Sequence, residues 1–306
     1  MADMWQGLKS WQLPTCDGFV QVRHGGLGPP LLLLHGHPQS MAMWHKVLPE
    51  LLSRHQVVMM DLPGYGDSSR PAATADHIAH SKRSMAAAAF AVMQHLGHAT
   101  FAVLAHDRGA RVAHRLALDQ PQAVQRMMLL DIAPTLAMYE ATDMQFAKAY
   151  WHWFFFIQPA PLPERLINAD PVAFLQDLMG RRSAGLSPFS PQAMAEYERC
   201  IQLPGSATSI CEDYRAGASI DLAHDRASLA AGQRLRLPLS VLWGAQGVVG
   251  RCFDVLSMWG DVSEPGPDGI SNVQGQSLPC GHYIAEEQPA ALLARSHSFF
   301  SQETPR

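Results

Sequence analysis

The chain has 306 residues, a formal net charge of −4 at pH 7 and 47% hydrophobic residues. This length allows a large buried core, and the scattered basic residues argue against a nucleic-acid-binding surface. No apolar run approaches the roughly 20 residues of a membrane span, and the N-terminal segment lacks the apolar stretch of a signal peptide.

Short apolar runs alternate with helical patterns along the first 135 residues. This alternation predicts an α/β fold, with a mostly parallel twisted sheet and helices on both of its faces. The expected strands lie within residues 19–24, 30–36, 56–60, 101–107 and 124–131, and the expected helices within 43–54, 80–97 and 109–121.

The pattern changes after Pro134, where an aromatic and helical region continues to about residue 225. Strand character returns at 237–244 and 273–278, and a helical pattern closes the chain at 288–300. The simplest arrangement is an α/β core of residues 1–135 and 229–306, interrupted by an all-helical cap of residues 136–228. The polar stretch 261–272 is rich in Gly and Pro and is expected to be an exposed loop.

The cysteines and histidines predict neither a disulfide framework nor a metal site. The cysteines are odd in number and have no C-x-x-C spacing, which favours free thiols in a reducing cytoplasm. Cys280, two residues before His282, is read as a small packing residue and not as a thiol nucleophile. Most histidines lack metal-ligand partners at helical spacing, so we expect no metal. The five cysteines are Cys16, Cys200, Cys211, Cys252 and Cys280.

The strand FAVLA runs into His106-Asp107-Arg108-Gly109, and a helical pattern begins directly afterwards. A strand–turn–helix junction that presents a nucleophile needs small neighbours, because its strained backbone approaches adjacent elements closely. Ala105 and Gly109, two residues to either side of Asp107, meet this requirement. We therefore predict Asp107 as a nucleophile, with a simple helix N-cap as the alternative role.

The motif HGHP at residues 35–38 follows the LLLL strand, about 70 residues before Asp107. In a strand–turn–helix architecture of this kind, the equivalent loop donates one backbone N–H to an oxyanion hole, and the residue after the nucleophile donates the other. The predicted donors are the backbone N–H groups of His37 and Arg108. A plain Gly-Pro turn is the alternative.

His282 lies after the last strand and before the last helix, where the base of a nucleophile–acid–histidine triad is expected. The acid that orients it usually follows one of two strands. The segment LWGAQGVV has no carboxylate, whereas the segment MMLLD ends in Asp131. We assign Asp131 to His282 and keep Asp254 in reserve.

Arg108 and Arg111 stand three apart on the first turn of the helix after Asp107, so they share a face with it. Cations oppose the dipole at a helix N-terminus, which suggests that the two arginines bind an anion. Two guanidiniums can hold a carboxylate and keep Asp107 ionised. Arg115 is expected to pair with acids elsewhere.

The segments HDRGARVAHR, DIAPT, AYWHW, DYRAG and CGH together resemble the fluoroacetate (haloacetate) dehalogenases of the α/β-hydrolase superfamily. The likeness runs from about residue 20 to the C-terminus. It implies an α/β-hydrolase fold with an inserted helical cap, a small haloacid substrate, no cofactor and a homodimer. The family's roles imply Asp107, His282 and Asp131 as catalytic residues, Arg108 and Arg111 as carboxylate ligands, and His152, Trp153 and Tyr214 as halide ligands.

Two departures from the family pattern accompany the likeness. Ala105 stands where glycine is common before the His-Asp pair, and the 261–272 loop is longer than expected. Neither change removes a functional group, but the loop could alter access to the site or assembly.

The implied halide ligands also suit fluoride chemically. Fluoride is small and a strong hydrogen-bond acceptor, so imidazole N–H, indole N–H and phenol O–H are suitable donors. Ordinary cap packing is the alternative, above all for Trp153, whose neighbour Trp151 would point elsewhere on the helix.

Two other functions stay open from the residues. An epoxide hydrolase would use the same aspartate, with Tyr214 and either Tyr139 or Tyr150 protonating the opening ring. An epoxide has no carboxylate to occupy Arg108 and Arg111, however. A non-catalytic ligand-binding protein is the other alternative, although the positions of nucleophile, base and acid are all filled.

Overall fold

A computed structural model describes residues 4–15, 18–266 and 271–302. In this part of the chain, eight strands form one sheet in the order β1-β2-β4-β3-β5-β6-β7-β8. The strands from β3 to β8 are parallel, and β2 pairs antiparallel with both β1 and β4. The strands are β1 Lys9–Thr15, β2 Gly18–Gly25, β3 Pro30–Leu34, β4 Gln56–Met60, β5 Phe101–His106, β6 Val124–Leu130, β7 Leu239–Gly244 and β8 Val273–Leu278.

The α/β prediction is confirmed, since each predicted strand forms. The central strands read as continuous apolar runs because both faces of a parallel sheet are covered. All four leucines of Leu31–Leu34 in β3 are fully buried, for example. Strand β1 was missed because its residues are mostly exposed and lack an apolar run.

The fifteen α-helices of the described residues pack on the sheet or lie between β6 and β7. The helix predicted over 43–54 is two pieces, a 3₁₀ turn Met41–Trp44 and α1, because Pro49 favours the first turn of a new helix. The helices are α1 Leu48–Leu52, α2 Lys82–His95, α3 Asp107–Asp119, α4 Thr135–Glu140, α5 Met144–Ala149, α6 Trp151–Phe156, α7 Leu162–Ala169, α8 Pro171–Gly180, α9 Pro191–Ile201, α10 Ser206–Gly217, α11 Ile220–Ala230, α12 Val249–Cys252, α13 Val255–Asp261, α14 Ile284–Glu287 and α15 Pro289–Phe300.

The helices α4–α11 occupy the chain between β6 and β7, where the sequence predicts a helical cap. The exact boundaries of core and cap stay a prediction. Among the described helices, none combines the length and the apolar character that crossing a membrane requires. Four cysteines have free thiols, whereas Cys16 and residues 267–270 of the 261–272 loop lie outside the described residues.

Candidate active site

Asp107 lies at the tight junction between β5 and α3, with a φ of 45° that strains any residue other than glycine. The junction can form only because its neighbours are small. A Cβ on Gly109 would lie 2.3 Å from the His35 carbonyl oxygen, and one on Gly36 would lie 2.5 Å from the Asp107 Cβ. The N-cap position of α3 belongs to His106, so the alternative role of Asp107 as the N-cap is wrong.

The loop after β3 meets the Asp107 carboxylate through its backbone. The N–H of His37 donates to Asp107 Oδ1 at 3.0 Å. Arg108 is the second residue of α3, and the first N–H groups of a helix have no acceptor within it. Its role as the second oxyanion donor stays a prediction. Burial lowers the pKa of the His37 imidazole to about 3, so the ring stays neutral.

His282 connects the Asp107 carboxylate to Asp131. Its Nδ1 lies 2.6 Å from Asp131 Oδ2, and its Nε2 lies 3.9 Å from Asp107 Oδ2. The Gly244 N–H donates to Asp131 Oδ1 at 2.9 Å, which fixes the carboxylate. Since a carboxylate accepts, the imidazole carries its proton on Nδ1 and turns the lone pair of Nε2 toward Asp107.

The structure excludes the reserve acid Asp254. This residue is exposed, and its side chain accepts from the Ser257 N–H as the N-cap of α13. The segment after β7 instead leaves room for Asp131. A Cβ on Gly247 would lie 3.2 Å from Asp131 Oδ1, so a side chain at this position would crowd the carboxylate.

His106 also contacts the predicted base His282, a contact that we did not predict. Its Nε2 lies 2.9 Å from the His282 carbonyl oxygen, and the two ring centroids are 4.6 Å apart. A carbonyl only accepts, so the His106 Nε2–H donates this bond. The sequence shows His106 next to Asp107, but it does not show that His106 contacts His282.

We predicted that the guanidiniums of Arg108 and Arg111 are both free to bind a substrate, but in the structure the Arg108 guanidinium is paired with Asp213. Its Nε and Nη2 each lie 2.8 Å from an oxygen of the Asp213 carboxylate, and both side chains are fully buried. Lys82 and the Tyr65 hydroxyl contact the same carboxylate. Among the three guanidinium nitrogens of Arg108, Nη1 alone has no hydrogen-bond partner in the described chain. It is therefore the atom of Arg108 that is available to bind a substrate carboxylate.

Arg111 has no ion-pair partner among the described residues. Its Nη1 donates to Thr135 Oγ1 at 2.8 Å, its guanidinium lies 4.7 Å from the centre of the Trp153 ring, and its Nε has no partner. The same helix carries Arg115, which pairs with Asp119 at 2.8 Å as expected. Arg111 is therefore the more available of the two predicted carboxylate ligands.

The charges around Asp107 keep its carboxylate ionised. Burial alone would raise the pKa of Asp107, but electrostatic interactions with the neighbouring His282, His106, Arg111 and Arg108 outweigh this effect. Together they hold the pKa of this carboxyl well below its usual range. An anionic oxygen beside a base is suited to nucleophilic attack.

The three predicted halide ligands come together beside the HGHP loop. The rings of Trp153 and His152 lie 6.4 and 6.0 Å from the Tyr214 ring, which lies 5.5 Å from the His37 ring. All three are buried, and Trp153 Nε1 has no hydrogen-bond partner. Trp151 is 40% exposed and points elsewhere, as expected. No group of metal-ligating side chains occurs in the described chain.

Asp213→Ala is expected to lower the free energy of unfolding by about 3–5 kcal/mol, because Arg108 and Lys82 would stay buried without their countercharge. Urea unfolding followed by circular dichroism measures the change. Glu140→Ala is the control, since the exposed Glu140–Arg226 pair should contribute at most about 1 kcal/mol. Equal losses in the two variants would contradict a structural role for Asp213.

Residues 29–190 match the family described as the α/β-hydrolase fold. The chain belongs to this family. This α/β-hydrolase is 38% identical over 287 residues to a fluoroacetate dehalogenase from Burkholderia sp. The aligned region covers 94% of this chain and 91% of the relative. The chain is also 34% identical to a soluble epoxide hydrolase from Corynebacterium sp. (strain C12), over 90% of this chain and 91% of the relative.

Solved structures of similar proteins agree with this assignment. A putative α/β-hydrolase from Nostoc sp PCC 7120 has a TM-score of 0.92 and 47% identity, covering 98% of this chain and all of the other. A putative epoxide hydrolase from Pseudomonas aeruginosa has a TM-score of 0.89 and 38% identity, covering 98% of both chains. The protein is thus an α/β-hydrolase whose relatives include both dehalogenases and epoxide hydrolases.

Proposed function

We propose that this α/β-hydrolase hydrolyses haloacetates to glycolate and halide through an ester of Asp107. The observation that supports this substrate class is a set of buried donors without partners around the nucleophile. Arg108 Nη1 and Arg111 Nε suit a small carboxylate, and Trp153 Nε1 suits a halide. The charges of both arginines reach the Asp107 carboxylate.

In the first step, Asp107 Oδ2 attacks the carbon that carries the halogen. A C–O bond forms while the C–halogen bond breaks, and the bonding electron pair leaves with the halide. Oδ1 stays against the His37 N–H, so Oδ2 is the oxygen available for attack. Arg111 and Arg108 Nη1 hold the substrate carboxylate in line.

The departing halide is stabilised by donors from the cap. Burial lowers the pKa of His152 well below the usual value, so its neutral ring offers one N–H. Trp153 and Tyr214 add an indole N–H and a phenol O–H. Rigid rings suit this role because they give up little conformational freedom when they converge on a small anion.

In the second step, His282 Nε2 takes a proton from a water molecule that attacks the carboxyl carbon of Asp107. The His37 and Arg108 N–H groups stabilise the oxyanion. Collapse of this intermediate breaks the ester, and glycolate leaves with the proton from His282. A serine in place of Asp107 would form an ether, which water does not readily cleave, whereas the aspartyl ester is hydrolysable.

Epoxide hydrolysis is the second candidate, and the epoxide-hydrolase relatives favour it. Tyr214 lies against the His37 ring, and the Tyr150 ring centroid is 6.4 Å from that of His282, so both lie near the nucleophile. The Tyr139 ring lies against that of Trp153, with centroids 5.0 Å apart. The buried arginines have no counterpart in an uncharged epoxide, which is why the haloacid is preferred.

The test is halide release from fluoroacetate and chloroacetate, measured beside diol formation from styrene oxide. We expect halide release from the wild type and none from Asp107→Asn, because an amide is a poor nucleophile. Diol without halide would replace the proposal with epoxide hydrolysis, and no turnover of either substrate would favour a binding protein. The ratio of fluoride to chloride release decides whether C–F bonds are cleaved.

A further inference from the structure

A cavity of about 420 Å³ opens beside His282, and cationic side chains surround it. The four cations come from three parts of the chain: Lys148 from α5, Arg251 from α12, and the adjacent Arg181 and Arg182 from just after the end of α8. No Asp or Glu of the described chain lines this cavity, which we call the cationic vestibule.

The vestibule is separate from the carboxylate site but continuous with the catalytic centre. His152 and His282 line it, whereas Arg108 and Arg111 do not. His282 Nε2 lies 3.9 Å from the Asp107 carboxylate. The His282 imidazole therefore separates a ligand in the vestibule from the Asp107 carboxylate.

Arg182 is the innermost of the four cations. Lys148, Arg181 and Arg251 are exposed, whereas Arg182 is half-buried. Its guanidinium lies 4.7 Å from the centre of the Tyr150 ring, and it also contacts Tyr283. None of the four forms an ion pair in the part of the chain that the structure describes.

Arg182 remains charged in this setting. Burial would lower its pKa, but the neighbouring tyrosines and the negative charges of Asp107 and Asp131 outweigh burial and raise the pKa. The guanidinium therefore stays available as a charged ligand for an anion. Cations that line a cleft with low-dielectric walls concentrate anions there, by about 10-fold to 10³-fold for a complete patch.

We propose that the cationic vestibule is an anion subsite, in which Arg182 binds the carboxylate of an incoming haloacid before it passes to Arg111 and Arg108. This inference rests on the proposed function for the identity of the anion. It assigns the charge of the vestibule to substrate capture and not to the chemical steps. Removal of Arg182 should therefore change KM much more than kcat.

The experiment compares Arg182→Gln, Arg182→Lys and Arg236→Gln with the wild type on chloroacetate. We expect Arg182→Gln to raise KM about threefold to tenfold, with kcat changed less than about twofold, because one of four cations is lost. Arg182→Lys should restore most of the affinity. Arg236→Gln removes the same charge at an exposed position before the N-terminal end of β7, whereas the vestibule residues Gly247 and Arg251 follow its C-terminal end, and it should leave KM unchanged.

Equal KM values in Arg182→Gln and Arg236→Gln would overturn the subsite. An equally raised KM in Arg182→Lys and Arg182→Gln would also overturn it, since the shape of the arginine and not its charge would then matter. If the wild type releases no halide, calorimetric titration with acetate still tests the subsite. Weaker acetate binding in Arg182→Gln than in Arg236→Gln would support it, and equal binding would overturn it.

Discussion

His282→Asn is expected to stop turnover after the first step and leave Asp107 esterified. The first step needs only the Asp107 carboxylate, whereas the second needs the base that lies 3.9 Å away. Incubation with chloroacetate should release about one halide per active site. The peptide that contains Asp107 should gain the mass of a carboxymethyl group, which mass spectrometry detects.

Asp107→Asn is the matched control for this experiment, because it keeps the size of the side chain and should show neither the halide burst nor the mass gain. An unmodified Asp107 in His282→Asn, with halide still released, would remove this residue from the role of nucleophile. Modification of a different residue would have the same consequence.

Asp131→Asn is expected to lower kcat on the order of 10⁴-fold, because an amide no longer fixes the tautomer of the histidine. The Nδ1–Oδ2 contact of 2.6 Å would be replaced by one in which the amide can donate to Nδ1. The lone pair would then lie on the wrong nitrogen. Steady-state halide release measures the loss, and circular dichroism shows whether the fold persists.

Asp254→Asn is the control for Asp131→Asn. Asparagine caps a helix about as well as aspartate, so α13 should keep its N-cap and the activity should stay close to that of the wild type. A large loss of kcat in Asp254→Asn, with little change in Asp131→Asn, would restore Asp254 as the acid. Because His282 Nδ1 lies 2.6 Å from Asp131 Oδ2, we expect the large loss of kcat in Asp131→Asn and little change in Asp254→Asn.

The junction at Asp107 could be predicted because it depends on residues that are close together in the sequence. The junction at Asp107 needs small residues within two positions, and the strand before it is an apolar run. The order of nucleophile, acid and histidine expected along such a chain predicted Asp131 and His282 as partners of Asp107. The structure places His282 beside Asp107, and Asp131 against the other side of the His282 ring.

The pairing of the two arginines could not be predicted. Arg108 is 105 residues from Asp213, and nothing in the local pattern of α10 marks that aspartate as a buried partner. Gly217 on the same helix makes the approach possible, since a Cβ there would lie 3.0 Å from Arg108 Nη2. Arg182 was missed for a similar reason, because its neighbours Tyr150 and Tyr283 lie on other elements.

The sequence by itself determined the α/β architecture and the tight junction at Asp107, and it located the predicted acid Asp131 and base His282 along the chain. These features follow from hydrophobic periodicity and from steric limits within a few residues. Only the tertiary structure decided which charges neutralise one another. Arg108 is bound by Asp213, whereas Arg111 and the vestibule arginine Arg182 have no acidic partner among the described residues. Electrostatic interactions depend on distance in space and on burial, and both are set when remote segments pack together.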